Sequence, residues 1–99
     1  MPDDLLDITA KLIKQGSVHA RLGSEIDSLI ENADVAILAA QQCELGVMLA
    51  RMERFGHDFH DTLADIVMCA PDAVETATEY LYAVEAEILR LLIETCKCR

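Results

Sequence analysis

Three observations predict an all-α fold, a small antiparallel bundle of four to five helices forming one domain over residues 1–99. Apolar residues make up 53% of the chain while aromatics reach only 4% and Trp is absent, so the core must be aliphatic, a palette that favours helices. No run of β-branched or aromatic residues alternates with polar ones, which leaves strands without a basis. Only two Pro and four Gly punctuate the 99 residues, and between them apolar positions recur at spacings of three and four.

The first helix is expected over residues 3–15. Asp3, Asp4 and Asp7 suit the positive end of its dipole, Leu5, Ile8 and Leu12 form its stripe, and Gly16 suits a C-cap. A second, over 17–31, carries Val18, Leu22, Ile26 and Leu29, with Gly23 a weak point inside it. A third, over 34–55, opens after Asn32 or Asp34 as N-cap and closes at Gly56. Nothing between Glu31 and Asp34 forces a break, so 17–55 also reads as one rod with two differently directed stripes. A fourth, over 58–69, buries Phe59, Leu63, Ile66 and Val67 and stops before Pro71, whose ring disfavours helical backbone in the residue preceding it. The last, over 72–95, opens with Asp72 and Glu75 in capping-box spacing and carries Val74, Leu81, Ile88, Leu91 and Leu92. Short connections at Gly56 and Ala70-Pro71 make successive helices antiparallel neighbours.

The stretch DVAILAAQQCELGVMLA, residues 34–50, holds only two charged side chains in a chain of formal net charge -10. Read as one helix it is apolar nearly all round, with Leu38, Leu45 and Leu49 on one side and Ala36, Ala40, Cys43 and Val47 on the other. Such a helix must be buried on every side. A chain this short supplies few neighbours, which predicts a homodimer whose seam runs through Ala36, Ala40, Cys43 and Val47; a central helix enclosed in a five-helix monomer is the competing expectation.

From Phe55 to Leu89 there is no Lys or Arg, while eight acids occur. Asp58, Asp61 and Asp65 share one helical face, and Asp72, Glu75 and Glu79 repeat the same spacing on the last helix. Like charges so placed cost a few tenths of a kcal/mol per pair. They point to a surface that recruits a basic protein or peptide, a nucleic-acid-binding protein for instance, by steering and complementary potential. Direct nucleic-acid binding is excluded by the want of clustered Lys and Arg. A solvated acidic face that keeps an apolar dimer soluble is the simpler use of the same charges.

Glu85 sits among Val74, Leu81, Ile88 and Leu92 and is expected to be buried, where a carboxylate needs a partner. In a hairpin about Pro71 it falls level with His57. Glu53, His57, His60 and Glu85 thereby form a candidate site for a divalent metal, zinc, iron or manganese, although no His has a Glu three residues before it as the paired motif of di-iron bundles requires. Satisfaction of Glu85 by His57 or Arg51 in a polar layer is the competing expectation.

The run His19-Ala20-Arg21-Leu22-Gly23-Ser24 resembles the His-x-Leu-Lys-Gly-Ser core of histidine phosphotransfer domains, which are also helical bundles, with the basic and Leu positions interchanged. The resemblance covers six residues and implies His19 as an exposed phosphoacceptor. Cys43 and Cys69 read as small buried hydrophobes, and Cys96-Lys97-Cys98 as an exposed terminus with one pair of thiols, too few for a structural zinc. Neither a phosphate-binding loop nor a nucleophile elbow occurs. The acidic start, with no basic lead or long apolar run, and the reduced thiols predict a cytosolic, non-membrane, non-enzymatic interaction module, an adaptor or inhibitor.

Overall fold

The computed structural model describes residues 3–96. Helix α1 runs Asp3–Val18, α2 Ala20–Gln41, α3 Leu45–Cys69 and α4 Val74–Leu91; a 3₁₀ turn, Pro71–Ala73, leads into α4, and a π turn, Leu92–Cys96, follows it. No strand is present among the described residues, and no helix among them is long and apolar enough to cross a membrane. Among the described residues the chain breaks in other places than its glycines suggest.

Gly16 does not end α1. It is buried, and a Cβ there would stand 2.6 Å from Cδ1 of Ile26, so the glycine serves close approach of α1 to α2 rather than a turn. Leu5 and Leu12, 1% and 0% exposed, carry the α1 stripe. The break comes at His19, whose φ of -111° and ψ of 80° leave the helical region.

Helix α2 passes through the expected boundary at residues 32–34 without interruption. Its buried set runs Leu22, Ile26, Leu29, Ala33, Ala36, Ile37 and Ala40, with Asn32 and Ala39 widening the arc. At about 100° per residue these cover roughly half the helix circumference, which explains why α2 touches α1, α3, α4 and the final turn.

The apolar stretch 34–50 is therefore folded back on itself and is not one rod. Gln42 caps α2, Cys43 takes a left-handed φ of 56°, Cys43 N–H donates to Ala40 O (3.2 Å) and Glu44 N–H to Ala39 O (2.9 Å). That pair of bonds is a Schellman motif with cysteine in the place glycine prefers. Ala36 and Ala40, predicted at a dimer seam, have no exposed surface within the single chain: α2 already uses its small residues for its own core. Of the four seam residues only Val47 is largely open, at 47% exposure, with Cys43 partly covered in the turn.

Helix α3 continues through Gly56, which faces open space. Phe55 is fully buried, with its ring centroid 6.2 Å from those of Phe59 and Tyr80, so three of the four aromatics meet inside the bundle. Val67, expected inside, is exposed. In α4 the core face is Ala77, Tyr80, Val84, Ile88 and Leu91, whereas Val74, Leu81 and Leu92 are half-buried on its flank. The large Tyr80 side chain sets that phase, and it turns Glu85 outward.

Candidate functional site

The most developed polar feature is a groove of 330 Å³ between α2 and α3, lined by Ser24, Glu25 and Ser28 of α2 and by Asp58, Asp61, Thr62 and Asp65 of α3. It follows from two heptad-like spacings: 58, 61/62 and 65 step along one flank of α3, and 24/25 and 28 along the facing flank of α2. Of the six acids expected to form a partner face, Asp58, Asp61 and Asp65 meet here. Asp72, Glu75 and Glu79 are exposed elsewhere. Asp72 lines a smaller cleft with Gln15, Val18 and His19 of the α1 end, and Glu75 and Glu79 lie on the α4 stripe that continues into Ala83 and Ala86 beside α1. The acidic surface is thus two surfaces.

Charge is graded along the groove. At one end the buried Asn32 donates from Nδ2 to Asp58 Oδ2 (2.5 Å) and accepts on Oδ1 from Arg51 Nη1 (3.3 Å), while Arg54 Nε stands 3.7 Å from Asp58 Oδ1. Asp58 is thereby neutralised, and an amide that would otherwise be a buried orphan is satisfied. Sequence reasoning took Asn32 for a helix cap and missed this use of it.

At the other end no such neutralisation occurs. Burial first, then a hydrogen bond with Asp65 and the fields of Asp65 and Asp61, push the Glu25 carboxyl above its ordinary value, against the opposing pull of Arg21. Glu25 Oε2 is buried with no hydrogen-bond partner. Glu25 was not among the predicted residues; its signal in the sequence is its place between Ser24 and Ser28 on the α2 flank, which becomes readable only once α3 is known to lie alongside. Beyond the groove, Arg21 contacts Cys69 Sγ and ties the start of α2 to the end of α3. Cys43 and Cys69 bracket α3, roughly 37 Å apart at 1.5 Å per residue, so they form no bridge within one chain.

The candidate metal residues do not converge. Among the described residues no group of three or more His, Cys, Asp or Glu could hold a metal ion. Because α3 runs unbroken through Gly56, Glu53, His57 and His60 all face outward, and Glu85 is exposed on α4. His57 instead lines a hollow of 370 Å³ on the outer side of α3 with Ala50, Arg51, Glu53 and Arg54. Neither His57 nor Arg51 is needed to satisfy Glu85 in a polar layer. The buried acid of α4 is Glu87, 4% exposed, held by Arg90 Nε (3.0 Å) and Nη2 (2.6 Å), while Arg90 Nη1 also donates to Glu94 (2.5 Å). That bidentate contact holds the Glu87 carboxyl below the usual range despite burial.

His19 lies at the α1–α2 junction and on neither helix, half-buried in the cleft with Asp72, which departs from the exposure a phosphoacceptor requires. Cys98 and the Cys96 side chain, named as a thiol pair, fall outside the described side chains. No protein-family model, curated protein or solved structure matches the chain.

Proposed function

We propose that the chain is a small acidic interaction module of the cytosol, an adaptor or inhibitor that recruits a basic protein or peptide and performs no catalysis. The observation that carries this reading is the groove between α2 and α3, where Glu25, Asp61 and Asp65 stand together and none of the seven lining residues is Lys or Arg. A cationic side chain entering it would offset the repulsion among Glu25, Asp61 and Asp65 and gain ion pairs with them. Nucleic-acid-binding proteins are one class of such partner. The same charge balance speaks against the nucleic acid itself as a direct ligand.

The test is to recover the partner from native lysate at low salt, then to measure its affinity for the wild type and for Asp61→Lys, Asp65→Lys and Glu79→Lys. Binding that falls steeply with salt and is lost on reversal in the groove is the expected result. Binding indifferent to salt and to all three reversals ends the proposal.

Pairing of two copies is a second reading, favoured by the exposure of Leu45, Val47 and Leu49 at the start of α3, between 47% and 63%. In this fold it would use those residues and Leu38 rather than the enclosed Ala36 and Ala40.

A further inference from the structure

Helix α4 is apolar on two opposite sides. Its inner stripe packs the core. Its outer stripe, Tyr82, Ala86 and Leu89, is prolonged by Ile93 in the π turn that follows; the four advance by four, three and four residues, the spacing of a heptad seam, yet all are exposed, Tyr82, Leu89 and Ile93 at 64%, 60% and 53%. Large side chains standing singly on a surface need no explanation; three of them, with Ala86, in heptad register along one face do. Nothing in the α4 core phase requires them, because the inner stripe is complete without them.

We propose that the outer face of α4 docks an amphipathic helix that carries an apolar seam flanked by Lys or Arg. The charge around the stripe selects this occupant. Glu75 and Glu79 continue the same register at its N-terminal end, Glu85 flanks its middle, and the neighbouring cation, Arg90, is already engaged by Glu87 and Glu94. A second copy fits poorly. Paired in parallel it sets Glu75 and Glu79 against their own images, and paired antiparallel about the stripe's midpoint, between Glu87 and Ile88, it matches Tyr82 with Ile93 and Ala86 with Leu89 but brings no Lys or Arg level with Glu79. A basic amphipathic helix meets apolar residues with apolar residues and acids with cations in one register. The stripe spans about 16 Å over its eleven residue steps, a short contact suited to a transient complex.

This inference rests on the reading that the partner is basic, and it adds which surface the partner's apolar side occupies. The α2–α3 groove shares no lining residue with the α4 stripe, so the two can be altered separately. Two synthetic helical peptides of equal charge serve as probes, one with Leu at the seam positions and Lys at the flanks, the other with Gln replacing each Leu. Fluorescence anisotropy at low salt is expected to show the Leu peptide binding at least about tenfold tighter. Leu89→Gln, and independently Ile93→Gln, should abolish that advantage, while Asp61→Lys with Asp65→Lys in one chain should preserve it. Both substituted leucine-stripe positions are more than half exposed, so thermal melts should be unchanged. Equal binding of the two peptides, with no effect of Leu89→Gln, overturns the docking site but leaves an acidic recruiting surface standing. Failure of both peptides to bind at low salt overturns both. A wild-type dimer that Leu89→Gln dissociates overturns the chosen occupant in favour of a second copy.

Discussion

Two glutamates show how differently a fold can treat one side chain. The Glu25 carboxyl is raised above its unfolded value, so the fold prefers it protonated; its stabilising contribution is complete below the ordinary value of 4.5 and is lost as pH rises through the folded value. The groups that face it are Asp65, Asp61 and Arg21. The Glu87 carboxyl is lowered by Arg90, so its contribution is present above 4.5 and is lost as pH falls through the folded value. Both contributions are therefore in place near pH 4.5 and only Glu87's survives at neutrality. Glu25→Gln, which mimics the protonated form, should stabilise the protein at pH 7 and change little near pH 4.5. Solvent around the groove screens the effect, which is expected at about 0.5 kcal/mol or a melting shift of roughly 2–4 °C. Melting curves at the two pH values check this; an equal shift at both would mean that repulsion with Asp65 is not its cause.

At the level of elements, the places where helices end depend on backbone bonds rather than on residue type. Cys43 adopts a left-handed φ of 56° because two Schellman bonds close α2 around it, while Gly56, a stop signal by composition, sits inside α3 with open space beside it. The two sites predict opposite exchanges. Cys43→Gly relieves a left-handed cysteine and should stabilise by about 1 kcal/mol, and Gly56→Ala removes a glycine from a helix interior and should stabilise by about 0.5–1 kcal/mol. Urea unfolding of both variants checks the assignment; destabilisation by Gly56→Ala would restore a break there. These two positions also mark how far the sequence is legible. The all-α fold and the α1 stripe of Leu5 and Leu12 follow from periodicity, and Pro71 places the start of the last hairpin correctly. The turn at 42–44 has no Gly or Pro to announce it, so the apolar stretch reads as one helix and its small residues as an interface. The phase of α4 is lost in the same way: Leu81, Ile88 and Leu92 form a plausible stripe, and only packing around Tyr80 and Phe55 selects the neighbouring one. Three of the four acids of the groove are visible, because spacing on α3 is local, whereas Glu25 joins them through a tertiary contact that no local pattern encodes.

For the whole molecule the question is what a body of charge -10 does with its remaining apolar surface. Its accessible surface is 5944 Å², close to the roughly 5,600 Å² expected of a folded monomer of its mass, and the α2 core is closed within one chain. Association is then not required to complete the core, and whatever association occurs must contend with the charge. Two copies repel each other, and raising ionic strength shortens the range of that repulsion from about 30 Å at 0.01 M to about 8 Å at 0.15 M salt. A basic partner is attracted, and the same salt weakens the attraction. The two associations therefore respond to salt with opposite sign, which separates them without knowledge of either interface. Sedimentation equilibrium of the chain alone at micromolar concentration should give a single-chain mass at 0.01 M salt, with any pairing through Leu45, Val47 and Leu49 growing as salt is added. A dimer that is strongest at low salt and dissociates on adding salt would show that copies are held by ion pairs, placing Arg51 and Arg54 of one copy against the acids of another and removing the acidic groove from the surface offered to a partner.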